Sequence, residues 1–128
     1  MNLEKVVFGF FVVLAATLNF GFFIGDIDDP VLHNPYELFA AVVVNLIATV
    51  LKFGDRTQMG AVHLATSLVA VLQLVAAALA YGYAEYVSSA GMDAGWTASV
   101  VSLSGGALLA NLVSVVLLVV ETASFHRG

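Results

Sequence analysis

The sequence contains no cysteine. That absence removes disulfides, thiolate metal sites, haem attachment through C-x-x-C-H and lipid anchoring on cysteine, and with them any redox role that needs a protein thiol. Basic residues are scarce as well, four Lys and Arg together against nine Asp and Glu, for a net charge of -5. Nucleic acid binding depends on many cations facing phosphates, so no nucleic acid partner is expected. Charged residues of both signs make up only 10% of the chain, against roughly 25% in soluble domains. H-E-x-x-H, G-x-S-x-G and Gly-rich phosphate loops are missing, and no carboxylate falls at mid-depth in an apolar run to act as acid or base. Neither an enzyme nor a cofactor is expected.

What is present is apolar. Over 128 residues the chain is 61% hydrophobic, with a mean hydropathy of +1.00, far above the roughly 45 to 50% of soluble proteins. This composition predicts an integral membrane protein of one domain, residues 1–128, whose solvent is the lipid bilayer. A spanning helix needs about 20 mainly apolar residues. Four segments qualify: residues 6–24, 35–53, 61–83 and 97–120. Their runs are continuous rather than alternating, so the expected fold is all-α, a polytopic bundle of four transmembrane helices and not a barrel. The first segment imitates a signal peptide, but no A-x-A-like cleavage site follows it, so it is expected to stay. In "NPYE", Asn34 suits the cap, Pro35 the first helical position and Glu37 the third, a near-match to the capping box at the start of the second helix.

The few charges orient the bundle. Lys5, Lys52, Arg56 and Arg127 all fall on one side, which the positive-inside rule makes cytoplasmic, with both termini. Tyr36, Tyr81, Tyr83, Tyr86 and Trp96 fall at the opposite boundary, as amphipathic rings at an interface should. That outer face carries Asp26, Asp28, Asp29, Glu37, Glu85 and Asp93 and no basic residue. Its carboxylates either keep the outer turns soluble or, repeated around an oligomer, attract cations over about 8 to 10 Å. Asp29 before Pro30 also suits the start of a brief helical turn. A tight divalent site needs more oxygen ligands than "GDIDDP" offers, so no metal site is expected.

Each span carries one carboxamide, Asn19, Asn45, Gln73 and Asn111. The last three are expected near the midplane and Asn19 closer to the outer face. An unpaired carboxamide in hydrocarbon costs several kcal/mol, so all four should point inward. They form either an interhelical clamp, with pairs worth about 0.6 kcal/mol, or a polar layer along a solute path. Glu37, Ala41, Asn45, Thr49 and Lys52 make one polar or small stripe; His63, Ser67 or Thr66, Ala70, Gln73, Ala77 and Ala80 make another. On the fourth span Ser102, Gly106, Ala110 and Ser114 recur every four residues, a row for close helix packing or, in an oligomer, for lining a pore. Gly54 and Gly60 bracket the connection holding Lys52, Asp55 and Arg56, which reads as an anchor and turn or as a gating or docking loop. His63 reads as a polar anchor near the cytoplasmic interface that titrates near neutral pH. His33 and His126 lie too far from it to share a metal.

Other four-helix families can be tested on their motifs. The first span lacks the glutamate of small multidrug exporters, the third lacks the threonine/phenylalanine-rich motif of fluoride channels, and no T-V-G-Y-G filter is present. The stretch "ATVLKFGDRTQMGAVHLATSLVAVLQL", residues 48–74, resembles a small group of uncharacterised bacterial inner-membrane proteins. The resemblance implies that membrane and no activity. The expectation is a small homo-oligomeric protein that passes a monovalent cation or, alternatively, a non-conducting accessory or scaffold subunit bound to a partner membrane protein. Under the clamp, Asn45→Leu and Gln73→Leu weaken assembly, and under the path they change flux. Cross-linking in lipid and flux in liposomes check this, and variants unchanged in both would exclude both roles.

Overall fold

A computed structural model describes residues 3–25, 29, 33–55, 57–89 and 91–127, with side chains through Ala123. The described residues form four helices, α1 (Leu3–Phe23), α2 (Pro35–Lys52), α3 (Gln58–Tyr86) and α4 (Ala94–Arg127). Each is long and apolar enough to cross a membrane. Three of them outrun the apolar segments read from the sequence, because their ends are set by caps and not by hydropathy. Thr57 caps α3 by accepting the Gly60 N–H at 2.9 Å. Asp93 caps α4, its carboxylate accepting the Trp96 N–H at 2.9 Å. With 34 residues, α4 is about 51 Å long, well beyond the roughly 30 Å of a hydrocarbon core.

Each helix packs on its two neighbours in a closed ring, α1 on α2, α2 on α3, α3 on α4 and α4 back on α1. The pairings are antiparallel. Lys5 meets Glu121 at 3.1 Å at one end of α1 and α4, while Phe23 lies against Gly105 at the other. Glu37 at the start of α2 lies on Gly21 near the end of α1. Asn34 does cap α2, accepting the Tyr36 N–H at 2.9 Å, but Glu37 turns its carboxylate to α1 instead of completing the box. The result is an up-down-up-down bundle with an end that holds Lys5 and Lys52, hereafter the basic end, and an end that holds Tyr36, Tyr81, Tyr83, Tyr86 and Trp96, the aromatic end.

The buried face of every helix follows alternating steps of three and four. On α1 it is Phe8, Val12, Ala15, Asn19 and Phe22, and on α2 Leu38, Ala41, Asn45, Ala48 and Lys52. On α3, Gly60, His63, Ser67, Ala70, Leu74 and Ala77 are buried, and on α4 Thr97, Val100, Ser104, Ala107, Asn111 and Ser114. A sustained heptad seam of this kind is the packing of left-handed bundles. It corrects the row read on α4 at steps of four, because four residues advance about 400° and the row drifts about 40° at each step. Ser102 therefore faces outward, Gly106 is half-buried, and only Ala110 and Ser114 reach the interior. The open face of Gly106 is filled by the Gln73 amide of α3.

Large apolar side chains cover the outside, with Leu72 at 71% exposure, while Leu74, two residues away, is at 0%. Leu74→Ala opens a cavity in the seam and should cost about 2 to 5 kcal/mol, whereas Leu72→Ala should cost well under half of that. Reversible unfolding in mixed micelles, followed through Trp96 fluorescence, measures both, with equal costs contradicting the assignment of the seam.

Candidate functional site

The heptad seam is the site. Polar members are set among its apolar ones at several levels between the basic end and the aromatic end. At the basic end Lys52 is 9% exposed. Its ammonium lies 3.3 Å from the Asp55 carboxylate and 4.2 Å from the centroid of the Phe8 ring. This corrects the reading of Lys52 as a loop anchor, since it is folded into the bundle by a cation–π contact and an ion pair. Asp55 also accepts the Thr57 hydroxyl at 2.7 Å and the Thr57 N–H at 2.9 Å, and its carboxylate rests on Gly60. The connection is thus a built turn, and Gly60 is a packing position inside α3 and not its first residue. The Thr57 hydroxyl first, then the Thr57 N–H and Lys52, hold the Asp55 carboxyl down to about 2.

Beyond Lys52 lies His63. The Phe8 ring meets its imidazole edge-on, with centroids 5.0 Å apart, and the side chain is 0% exposed. This corrects the expectation of an interfacial anchor: the heptad phase of α3 turns His63 inward, between α1 and α4. Its Nδ1 lies 3.4 Å from Ser114 Oγ, Ser114 Oγ lies 2.5 Å from Thr66 Oγ1, and Thr66 donates to the His63 carbonyl at 2.9 Å. Farther along, Asn45 donates to the Ala41 carbonyl at 2.7 Å and Thr49 to the Asn45 carbonyl at 2.8 Å. Helix α2 thereby satisfies its own polar groups.

The other carboxamides differ from one another. Gln73 packs on Gly106, five residues and about 7.5 Å along α4 from Asn111, so the expected common midplane layer is two levels. Both polar atoms of Asn19, the Asn111 amide nitrogen, the Ser104 hydroxyl and His63 Nε2 are buried with no hydrogen-bond partner among the described residues. Such atoms cost free energy unless water or another ligand meets them. Ser104 and Thr97 escaped the sequence reading because lone hydroxyls carry no signal until the heptad phase is known, whereas Thr66 stands there as the alternative to Ser67 on the stripe of the third span.

At the aromatic end His33, 5% exposed, lies 2.5 Å through Nδ1 from the Phe22 carbonyl. That carbonyl is one of the last of α1 and has no intrahelical partner. The carbonyl accepts, so Nδ1 carries the hydrogen. His33, which lies in the connection between the first two apolar segments of the sequence, is a cap on α1. Beside it a cleft of about 120 Å³ is lined by Phe22, His33, Tyr81, Glu85 and Thr97, among others. A second cleft, about 300 Å³, opens at the basic end against Phe8, Lys52 and Asp55. Both touch the ends of the seam. The positions Asp26, Asp28 and Arg56, and the Pro30 turn, lie outside the described residues, as do the side chains of His126 and Arg127. Asp29 is half-buried. Among the described residues no group of three His, Asp or Glu side chains is placed to hold a metal ion.

Fold and site together define an all-helical protein of four potential membrane spans with a polar seam at its centre. The chain belongs to a family of unknown function, DUF6394, whose model matches residues 32–122. That match takes in α2, α3 and most of α4. No curated protein and no solved structure matches the chain.

The low Asp55 value has a sign that can be checked. Because the folded carboxyl sits below its ordinary 3.8, the ionised form stabilises the turn above that pH, and the contribution is lost as pH falls toward 2. Thr57→Ala removes the main cause and should move the Asp55 titration, followed by carboxyl carbon NMR in micelles, back up toward 3.8. A midpoint that stays near 2 would refute the cause.

Proposed function

We propose that this is a multi-pass protein of a bacterial inner membrane, with both termini in the cytoplasm, that lets a monovalent cation pass. The observation that supports this best is the polar seam between two end clefts, with unpartnered donors and acceptors on α1, α3 and α4. In hydrocarbon such atoms invite water, and a hydrated file of hydroxyls and carboxamides is a surface on which a cation can shed part of its shell. Phe8 lines the cleft at one end, and Phe22 with His33 lines the cleft at the other. The outer carboxylates, Asp26, Asp28, Asp29 and Glu37, supply the local attraction, strongest where a homo-oligomer repeats them. On this reading the route lies within each protomer, since the polar groups face its own interior.

A second reading is a non-conducting accessory subunit. Its support is the self-satisfied α2, where Asn45 and Thr49 bond to their own helix and leave nothing for a passing ion. Flux separates the two. Liposomes holding the protein under sodium, potassium or proton gradients should show flux for one of these ions, reduced at least tenfold by Asn111→Leu. Absence of all three at a high protein-to-lipid ratio would rule out permeation and leave the accessory role.

A further inference from the structure

The hydrogen-bond network around His63 assigns its protons. Thr66 Oγ1 lies 2.9 Å from the His63 carbonyl, which only accepts, so the Thr66 hydroxyl hydrogen is spent there. The contact between Thr66 Oγ1 and Ser114 Oγ must then be donated by Ser114. Ser114 has no second hydrogen, so toward the imidazole it can only accept, and His63 Nδ1 must carry the hydrogen. A neutral imidazole protonated at Nδ1 leaves a bare lone pair on Nε2. That atom is fully buried with no hydrogen-bond partner among the described residues. The tautomer is thus set by a serine and a threonine one ring away, and the basic nitrogen is presented to the bundle interior.

We propose that His63 Nε2 is the proton-accepting atom of the polar seam, so that the cation carried is the proton; this rests on the permeation reading above. Uptake forms one N–H bond at Nε2 and turns an arriving hydronium into water. Release to the next water on the file reverses it. The charged groups that face the ring are Lys5 from α1, Lys52 from α2, Asp55 from the α2–α3 connection and Glu121 from α4. Two ammonium and two carboxylate groups thus lie around the ring. The Phe8 ring, edge-on to the imidazole and under the Lys52 ammonium, separates the histidine from the basic-end cleft.

Two measurements test this on the full chain in lipid. In liposomes under a potassium diffusion potential, internal acidification should be at least tenfold slower with His63→Gln, whose folding is checked by helicity and elution volume. The more conservative Ser114→Ala should keep the fold and slow acidification less. Nitrogen NMR of histidine-labelled protein should show the neutral His63 ring protonated at Nδ1 and a reversible second protonation at Nε2, with Ser114→Ala mixing the tautomers. Sodium or potassium flux that persists while His63→Gln leaves proton flux unchanged would overturn this inference and spare the permeation reading. No flux of any cation overturns both. A ring protonated at Nε2 when neutral, or one that never takes a second proton, overturns the inference alone.

Discussion

A polar side chain surrounded by hydrocarbon has one favourable direction, inward, because outside the bundle nothing can meet its hydrogen bonds. In this protein that constraint and the heptad phase of the helices coincide. Asn19, Asn45, His63, Ser67, Ser104, Asn111 and Ser114 all fall on the buried seam, while leucine, valine and phenylalanine cover the outside. The seam is mixed, its polar members set among Phe8, Val12, Phe22, Leu38, Leu74 and Val100. Small residues in the same seam, Ala41, Ala70, Ala77, Ala107 and Ala110, let the backbones approach, and close approach brings the hydroxyls of α3 and α4 into contact.

The ends of the bundle obey the same rule by different means. Helix termini expose unpaired backbone groups, and here nearby side chains meet them: Asn34 on α2, Thr57 on α3, Asp93 on α4 and His33 on the last carbonyls of α1. Two of these four were read from the sequence as something else, Asp93 as surface charge and His33 as a loop residue. Lys5 with Glu121 and Lys52 with Asp55 close the basic end. Scarce charges are thus used to lock the ends of the bundle.

Reading by composition and periodicity recovered the four helices, their order and the inward direction of Asn19, Asn45 and Asn111, while Gln73 is only half-buried. It misjudged the phase wherever it counted in fours. On α2 the error was harmless, because Asn45, Thr49 and Lys52 all lie within the buried arc. On α4 it put Ser102 beside Ser114, although accumulated drift separates them by about 120°. His63 was taken for an interfacial anchor because its place along the chain is near a helix start, and place along a helix says nothing about which neighbour the side chain meets.

By itself, then, the sequence determined the class of object, all-helical with four spans' worth of apolar length, a charge and aromatic asymmetry between its ends, and one carboxamide per span. These depend on composition and on spacing within single segments. Tertiary structure decided which hydroxyl meets which histidine, that Gln73 fills the notch at Gly106, that Lys52 lies over Phe8, and that Asn19 and Ser104 are buried without hydrogen-bond partners among the described residues. Those facts depend on the register between helices, which is set by the close contacts of small residues and by the caps that end each helix. No single segment encodes that register, because each contact takes one partner from a different helix.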